Sequence, residues 1–227
     1  MHLRVCIPVM ERTERKTLRA INQLESKDPD LFEIRLDLLN VSSSIAKIRE
    51  ATDRLIIATN RRKGEGGFFL GREETRLQSL IEAAQAGFDY VDVELSTKNV
   101  TTFVDRLKSD GAGVIVSHHD QRATPNLATL ESILQKGKLA GADVCKIVTT
   151  AKNHEDDLRC LIFVNEHAKE TKLVCFAMGR LGVPSRLLSP IYGAYFTFAS
   201  SDRGRETGPG QIPISTLRSF YKEMRIP

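Results

Sequence analysis

The sequence predicts an α/β fold, a closed (β/α)8 or TIM barrel. Three observations carry that expectation. Short runs rich in Val, Ile and Phe recur along the chain, segments with helical periodicity lie between them, and no glycine fingerprint of an open doubly wound sheet follows the first run. The runs are Leu3–Val9, Leu31–Leu36, Leu55–Ala58, Tyr90–Val93, Gly113–Val116, Val144–Val148, Leu173–Phe176 and Ala194–Ala199. Each is short and β-branched or aromatic, which is the strand signature. Between them, Thr75–Ala86 places Leu77, Leu80 and Ile81 on one helical face and stops at Gly87. Leu127–Ala140 opens after Pro125 and closes near a glycine, and Glu155–Glu170 and Ile214–Met224 read the same way. The first run leads into Pro8-Val9-Met10-Glu11, with no G-x-G-x-x-G, and no G-x-x-x-x-G-K-[ST] loop occurs. No Pro/Gly/Ser-rich linker divides the chain, so residues 1–227 are expected to form one barrel domain.

Composition removes several function classes. With 41% hydrophobic and 27% charged residues the chain is ordinary globular material. No stretch approaches the ~20 apolar residues of a membrane span, and the N-terminus lacks a signal-peptide layout. The net charge of +4 is spread among both signs and aromatics are only 6%, so no basic stripe with stacking rings offers itself to nucleic acid. Two small basic clusters, Arg61-Arg62-Lys63 and Arg203/Arg205, suit a small anionic ligand better than a polymer. Cys6, Cys145, Cys160 and Cys175 form no C-x-x-C pair and no zinc-spaced Cys/His set. They read as reduced core residues of a cytoplasmic protein.

In a barrel, function belongs at the C-terminal ends of the strands, and polar residues concentrate there. Lys146 stands out because an ammonium inside Val144-Cys145-Lys146-Ile147-Val148 is expensive to bury. A neutral amine in a dry pocket is the nucleophile that forms a Schiff base with a carbonyl. The competing structural reading is a buried Lys–Glu pair. On the fifth strand, alternation puts Ile115, Ser117 and His119 on one side and Val114, Val116 and His118 on the other. The valines look helix-facing, so His119 faces the barrel mouth as the acid/base candidate and His118 is the bystander. Glu33 and Arg35 share parity and can enter the interior as a pair. Arg61 and Arg186 add fixed charge suited to a carboxylate. Residues alone thus imply a barrel enzyme with a Schiff-base lysine, a histidine acid/base and an anion-binding arginine group, acting on a small carbonyl compound that bears a carboxylate. No metal or cofactor is expected. An aldolase-type barrel with a strand-six lysine and a non-catalytic anion-binding barrel are the rivals. The loop after the last strand lacks the Gly- or Ser-rich phosphate nest that many aldolase-type barrels carry.

The motifs EIRLDLL at 33–39, ATNRRKGEGG at 58–67, VSHHD at 116–120, GADVCKIV at 141–148, FAMGRLGVPSR at 176–186 and TFASSDRGRETGPGQI at 197–212 run almost the length of the chain. Together they resemble the type I 3-dehydroquinate dehydratases of the shikimate pathway. The resemblance implies a (β/α)8 barrel that dehydrates 3-dehydroquinate to 3-dehydroshikimate through an imine. It implies Lys146 as the imine lysine, His119 as the acid/base and Glu65 as the carboxylate that orients the histidine. Glu33 and Arg35 match positions that contact ring hydroxyls. Arg61, Arg186, Thr207 and Gln211 match further substrate-binding positions, with Arg186 the carboxylate clamp. Thr207 stands where the family commonly has serine, and Gly208 where it commonly has alanine. Members often form dimers, so a homodimer is carried as an expectation.

Overall fold

The computed structural model describes residues 3–40, 44–204 and 206–225. Its strands are β1 (Val5–Val9), β2 (Leu31–Arg35), β3 (Leu55–Thr59), β4 (Tyr90–Glu94), β5 (Gly113–His119), β6 (Val144–Thr150), β7 (Leu173–Met178) and β8 (Thr197–Phe198). They form one parallel sheet in the order β7-β6-β5-β4-β3-β2-β1-β8. The sheet curls until its ends meet, and Tyr195 N–H donates to Leu173 O at 2.8 Å across the last gap. The expected (β/α)8 barrel is therefore the fold.

The helices are α1 (Glu14–Glu25), α2 (Ile45–Arg49), α3 (Glu73–Gln85), α4 (Val100–Ser109), α5 (Leu127–Leu139), α6 (His154–His167), α7 (Val183–Leu188) and α8 (Ile214–Glu223). Several start on side-chain caps: Thr13 accepts from Lys16 N–H, Asn126 from Thr129 N–H and Asn153 from Asp156 N–H. Sequence patterning shows α3, α5, α6 and α8 but not the other four. Helix α1 packs Leu18, Ile21 and Leu24 on one face and α4 packs Val100, Phe103, Val104 and Leu107, so both carry an apolar period that the sequence reading passes over, whereas α2 and α7 are too short to show one.

Strand alternation sorts the core into two layers. Val5, Ile7, Phe32, Ile34, Ile56, Ala58, Val91, Val93, Val114 and Val116 pack outward against the helices. Cys6, Leu31, Ile57, Ile115, Val144, Val174, Phe196 and Phe198 belong to a separate apolar cluster, that of the barrel interior. Farther along the same inward-facing positions come Glu33, Arg35, Asp92, Glu94, Ser117, His119 and Lys146. The barrel is thus oily at one end and charged at the other. Strands β5, β6 and β7 run two or three residues past their apolar runs, into that charged end.

One helix reaches into this charged layer. Arg76 of α3 has no exposed surface. It donates to Glu94 Oε2 at 2.5 Å, to both Glu73 oxygens at 2.9 and 2.7 Å, and to Asn60 O at 3.0 Å. Removing one member of a buried ion pair strands the other. Arg76→Ala should lower unfolding stability by about 3–5 kcal/mol in denaturant titration; a loss below about 1 kcal/mol, the scale of an exposed pair, would mean Glu94 has no need of this partner.

Candidate active site

A cavity of about 130 Å³ opens at the C-terminal ends of the strands. All nine residues singled out from sequence line it: Glu33, Arg35, Arg61, Glu65, His119, Lys146, Arg186, Thr207 and Gln211. Val148, Phe176, Met178 and Phe198 supply its apolar wall.

Lys146 reaches the barrel axis from β6 and is 5% exposed. Its Nζ lies 3.0 Å from Asp92 Oδ2, 3.4 Å from Glu33 Oε1 and 4.5 Å from the centre of the Phe198 ring. The amine is therefore paired with carboxylates rather than isolated among apolar side chains. Asp92 escaped the sequence reading. It accepts from Arg61 Nη2 and from Ser117 Oγ, each at 2.6 Å. Burial pushes its carboxyl up, but Arg61 and then Lys146 outweigh that and hold it well below the usual carboxylate range.

Two sequence expectations change here. Glu33 and Arg35 both enter the interior, yet they do not pair with each other. Glu33 takes Lys146 and the Thr59 hydroxyl, the latter at 2.9 Å, while Arg35 is bound by Asp37 at 2.9 and 2.6 Å. Same-face neighbours along a strand stand roughly 6–7 Å apart, whereas barrel closure brings β6 across to β2. Arg61 is also less free than expected. Besides Asp92 and Ser117 it has Glu94 at 3.3 Å, so its charge is already compensated by protein.

His119 lies at the end of β5 with Nδ1 3.7 Å from Glu65 Oε2. Neither atom has another hydrogen-bond partner. Burial, and then the Arg61 and Lys146 charges, hold the His119 imidazole well below its ordinary titration range. Glu65 is raised by burial, although the Ser96 hydroxyl donates to its other oxygen. The turn that presents Glu65 requires glycine twice. Gly66 has φ +81°, and a Cβ on Gly67 would sit 2.0 Å from Arg61 O. His118 does not line the cavity.

Arg186, carried by α7, also lines the cavity and is 2% exposed. Its Nη2 donates to Pro209 O at 3.2 Å and its guanidinium lies 4.2 Å from the centre of the Phe176 ring. Its Nε has no partner, and no acidic group pairs with it among the described residues. Burial alone pulls it down to about 9. Its charge is left without a protein counterion among the described residues. Thr207 donates to Gln211 Oε1 from its N–H at 2.8 Å and its hydroxyl at 3.0 Å, so the two side a single loop face over the cavity. Arg203 is exposed, and Arg205 lies outside the described residues.

Beyond Asp92, sequence reasoning missed Gln121, which lines the cavity. The four cysteines are buried and free. Among the described residues no His/Cys/Asp/Glu group has metal-binding geometry, and no helix is long and apolar enough to cross a membrane.

Comparison with known proteins agrees along the whole chain. A family model described as type I 3-dehydroquinase matches residues 5–226. A 3-dehydroquinate dehydratase of Dehalococcoides mccartyi is 34% identical, the match covering 97% of this chain and 95% of that one. One from Thermococcus gammatolerans is 40% identical over 91% of this chain and 93% of its own. Among solved structures, the 3-dehydroquinate dehydratase of Geobacillus kaustophilus superposes with a TM-score of 0.92 at 28% identity, covering 99% of this chain and 92% of that one.

The buried histidine sets a measurable pH dependence. Its pKa is lower folded than unfolded, so the unfolded chain binds the proton first. Its contribution to stability is complete above the unfolded value of about 6.5 and is lost as pH falls toward the folded value. The imidazole should remain neutral at pH 6.5 by heteronuclear NMR. A His119 midpoint at or above 6.5 would contradict the burial and cation effects assigned to it.

Proposed function

Since the chain belongs to the type I 3-dehydroquinase family and is accordingly a hydro-lyase, a 3-dehydroquinate dehydratase, we propose that it removes water from 3-dehydroquinate through an imine on Lys146. One observation carries this reading. A buried primary amine and an imidazole whose charged form burial opposes open onto the same small cavity, which Arg186, a cation without an acidic partner among the described residues, also lines.

The steps follow from these groups. The amine attacks in its neutral form, so its proton must leave first. Asp92 is committed to Arg61 and Ser117 and is a poor proton acceptor, which leaves Glu33 as the carboxylate available for it. Lys146 condenses with the C3 ketone and water departs. The iminium draws electrons from C2, and His119 takes the C2 proton. Glu65 steadies the resulting imidazolium. The enamine then expels the C1 hydroxyl, with the imidazolium proton leaving as part of that water. Hydrolysis of the imine releases 3-dehydroshikimate and the lysine.

Arg186 holds the carboxylate, and Glu33, Arg35, Arg61, Thr207 and Gln211 surround the ring, so alignment contributes part of the acceleration. The whole chain acts as one barrel domain. Reduced, buried cysteines fit a cytoplasmic location. A homodimer is the assembly this reading carries, and light scattering measures it directly.

Borohydride added during turnover should trap substrate on Lys146, located by peptide mass mapping. An adduct on another lysine would move the nucleophile. His119→Ala should lower turnover by roughly 10²–10⁴-fold while adduct accumulates in intact mass spectra. His118→Ala should stay within a few-fold of the parent; the reverse pattern would shift the register of β5 by one residue. Arg186→Ala should weaken substrate binding by about 2–5 kcal/mol, the range for truncating one side of a buried charge pair. Unchanged binding would pass the clamp to another arginine.

A further inference from the structure

Arg186 rides on a helix too short to hold itself in place. Helix α7 has six residues, well under the length at which an isolated helix is stable. It is fixed from outside. Ser185 N–H donates to Asp157 Oδ1 at 2.9 Å. The Ser185 hydroxyl accepts from Ala177 N–H at 2.9 Å and donates to Gly182 O at 3.0 Å. The Arg186 carbonyl accepts from the Thr197 hydroxyl at 2.7 Å.

Asp157 stands on α6, behind the helix and away from the cavity, and is 3% exposed. Among the described residues it forms no ion pair. Burial raises its carboxyl and Ser185 draws it partly back. A buried acid without a cation is costly to keep, and its one firm ligand is the first turn of α7.

We propose that Asp157 is a positioning residue: through Ser185 it sets the direction in which α7 aims Arg186, and thereby the affinity for the substrate carboxylate. This rests on Arg186 being the carboxylate clamp. It differs from a capping role, in which loss of Asp157 would lower stability and leave recognition unchanged.

Titration calorimetry tests it with two probes, a polyhydroxylated cyclohexane carboxylate lacking the ketone and the amide of the same acid. Asp157→Ala should weaken the carboxylate about tenfold, as misplacement of a binding group does, and leave the amide unchanged. Asp157→Asn, whose side-chain oxygen still accepts from Ser185, should remain within about threefold of the parent, the scale of one neutral hydrogen bond. In an Arg186→Ala background Asp157→Ala should have no further effect, because the pair acts in series. Should Asp157→Ala fail to fold, Asp157→Leu, which fills the space but cannot accept from Ser185 N–H, should show the same selective loss, again absent without Arg186. Equal loss of acid and amide, an effect that persists without Arg186, an Asp157→Asn as weak as Asp157→Ala, or a fall in melting temperature with unchanged binding would each overturn the proposal. A parent protein that binds the acid but does not dehydrate 3-dehydroquinate would count against the reaction proposed above, not against this inference; one that binds neither probe would overturn the clamp and this inference with it.

Discussion

The arrangement depends on a ladder of opposite charges inside the barrel. It runs from Lys146 to Asp92 at 3.0 Å, on to Arg61 at 2.6 Å, to Glu94 at 3.3 Å and to Arg76 at 2.5 Å. No member is more than 5% exposed. An unpaired charge in such a place would neutralise itself or unfold the chain. Strands β4 and β6, the segment after β3 and helix α3 are consequently bound together by the need to answer one buried amine. The parallel register serves that need, since alternation delivers an inward side chain from each strand and the stagger between strands sets them at the same depth.

The site gains its chemistry where this compensation stops. Arg61 is matched by protein carboxylates and becomes scaffold. Arg186 has none, so the missing charge is to be supplied by a ligand. His119 lies between these cases. Burial, Arg61 and Lys146 oppose a proton on it, while Glu65 at 3.7 Å waits for one. On the proposed reading such an imidazole would begin neutral, gain a proton as the reaction proceeds and release it again. The division between matched and unmatched charge separates groups that hold the cavity together from groups that face a reactant.

The same division explains what could be read from the sequence. Every strand announced its apolar stretch, and each site residue identified from motif and parity lies on the cavity wall. The ends of β5 and β6 read short because their last residues are polar, being the part that forms the site, while β7 ends in Ala177 and Met178. Asp92 was overlooked for the opposite reason. It sits within Tyr-Val-Asp-Val-Glu, a segment that reads as an ordinary strand, although its alternation already put Asp92 and Glu94 on the inner face. The partners of Glu33 and Arg35 could not be read locally. Which carboxylate answers which cation is decided across the barrel, between residues 113 positions apart in the case of Lys146 and Glu33. Helices α2 and α7 are too short to show a helical period, whereas α1 and α4 carry one, through Leu18, Ile21 and Leu24 and through Val100, Phe103, Val104 and Leu107, that the sequence reading passes over.

Stability alone does not account for the ladder. Well-packed apolar residues of similar volume often equal or exceed a buried ion network in stability, and the opposite end of this barrel, with Leu31, Ile57, Ile115, Val144 and Val174, shows the chain can build such a layer. A barrel packed that way throughout would have no amine at its axis. On the proposed reading Lys146 would pass between ammonium and imine, and such a lysine needs counterions that do not move when its own charge changes. Asp92 meets that requirement, because Arg61 and Ser117 hold it whether or not Lys146 carries a proton. The rigid side of the ladder is what allows the reactive side to vary.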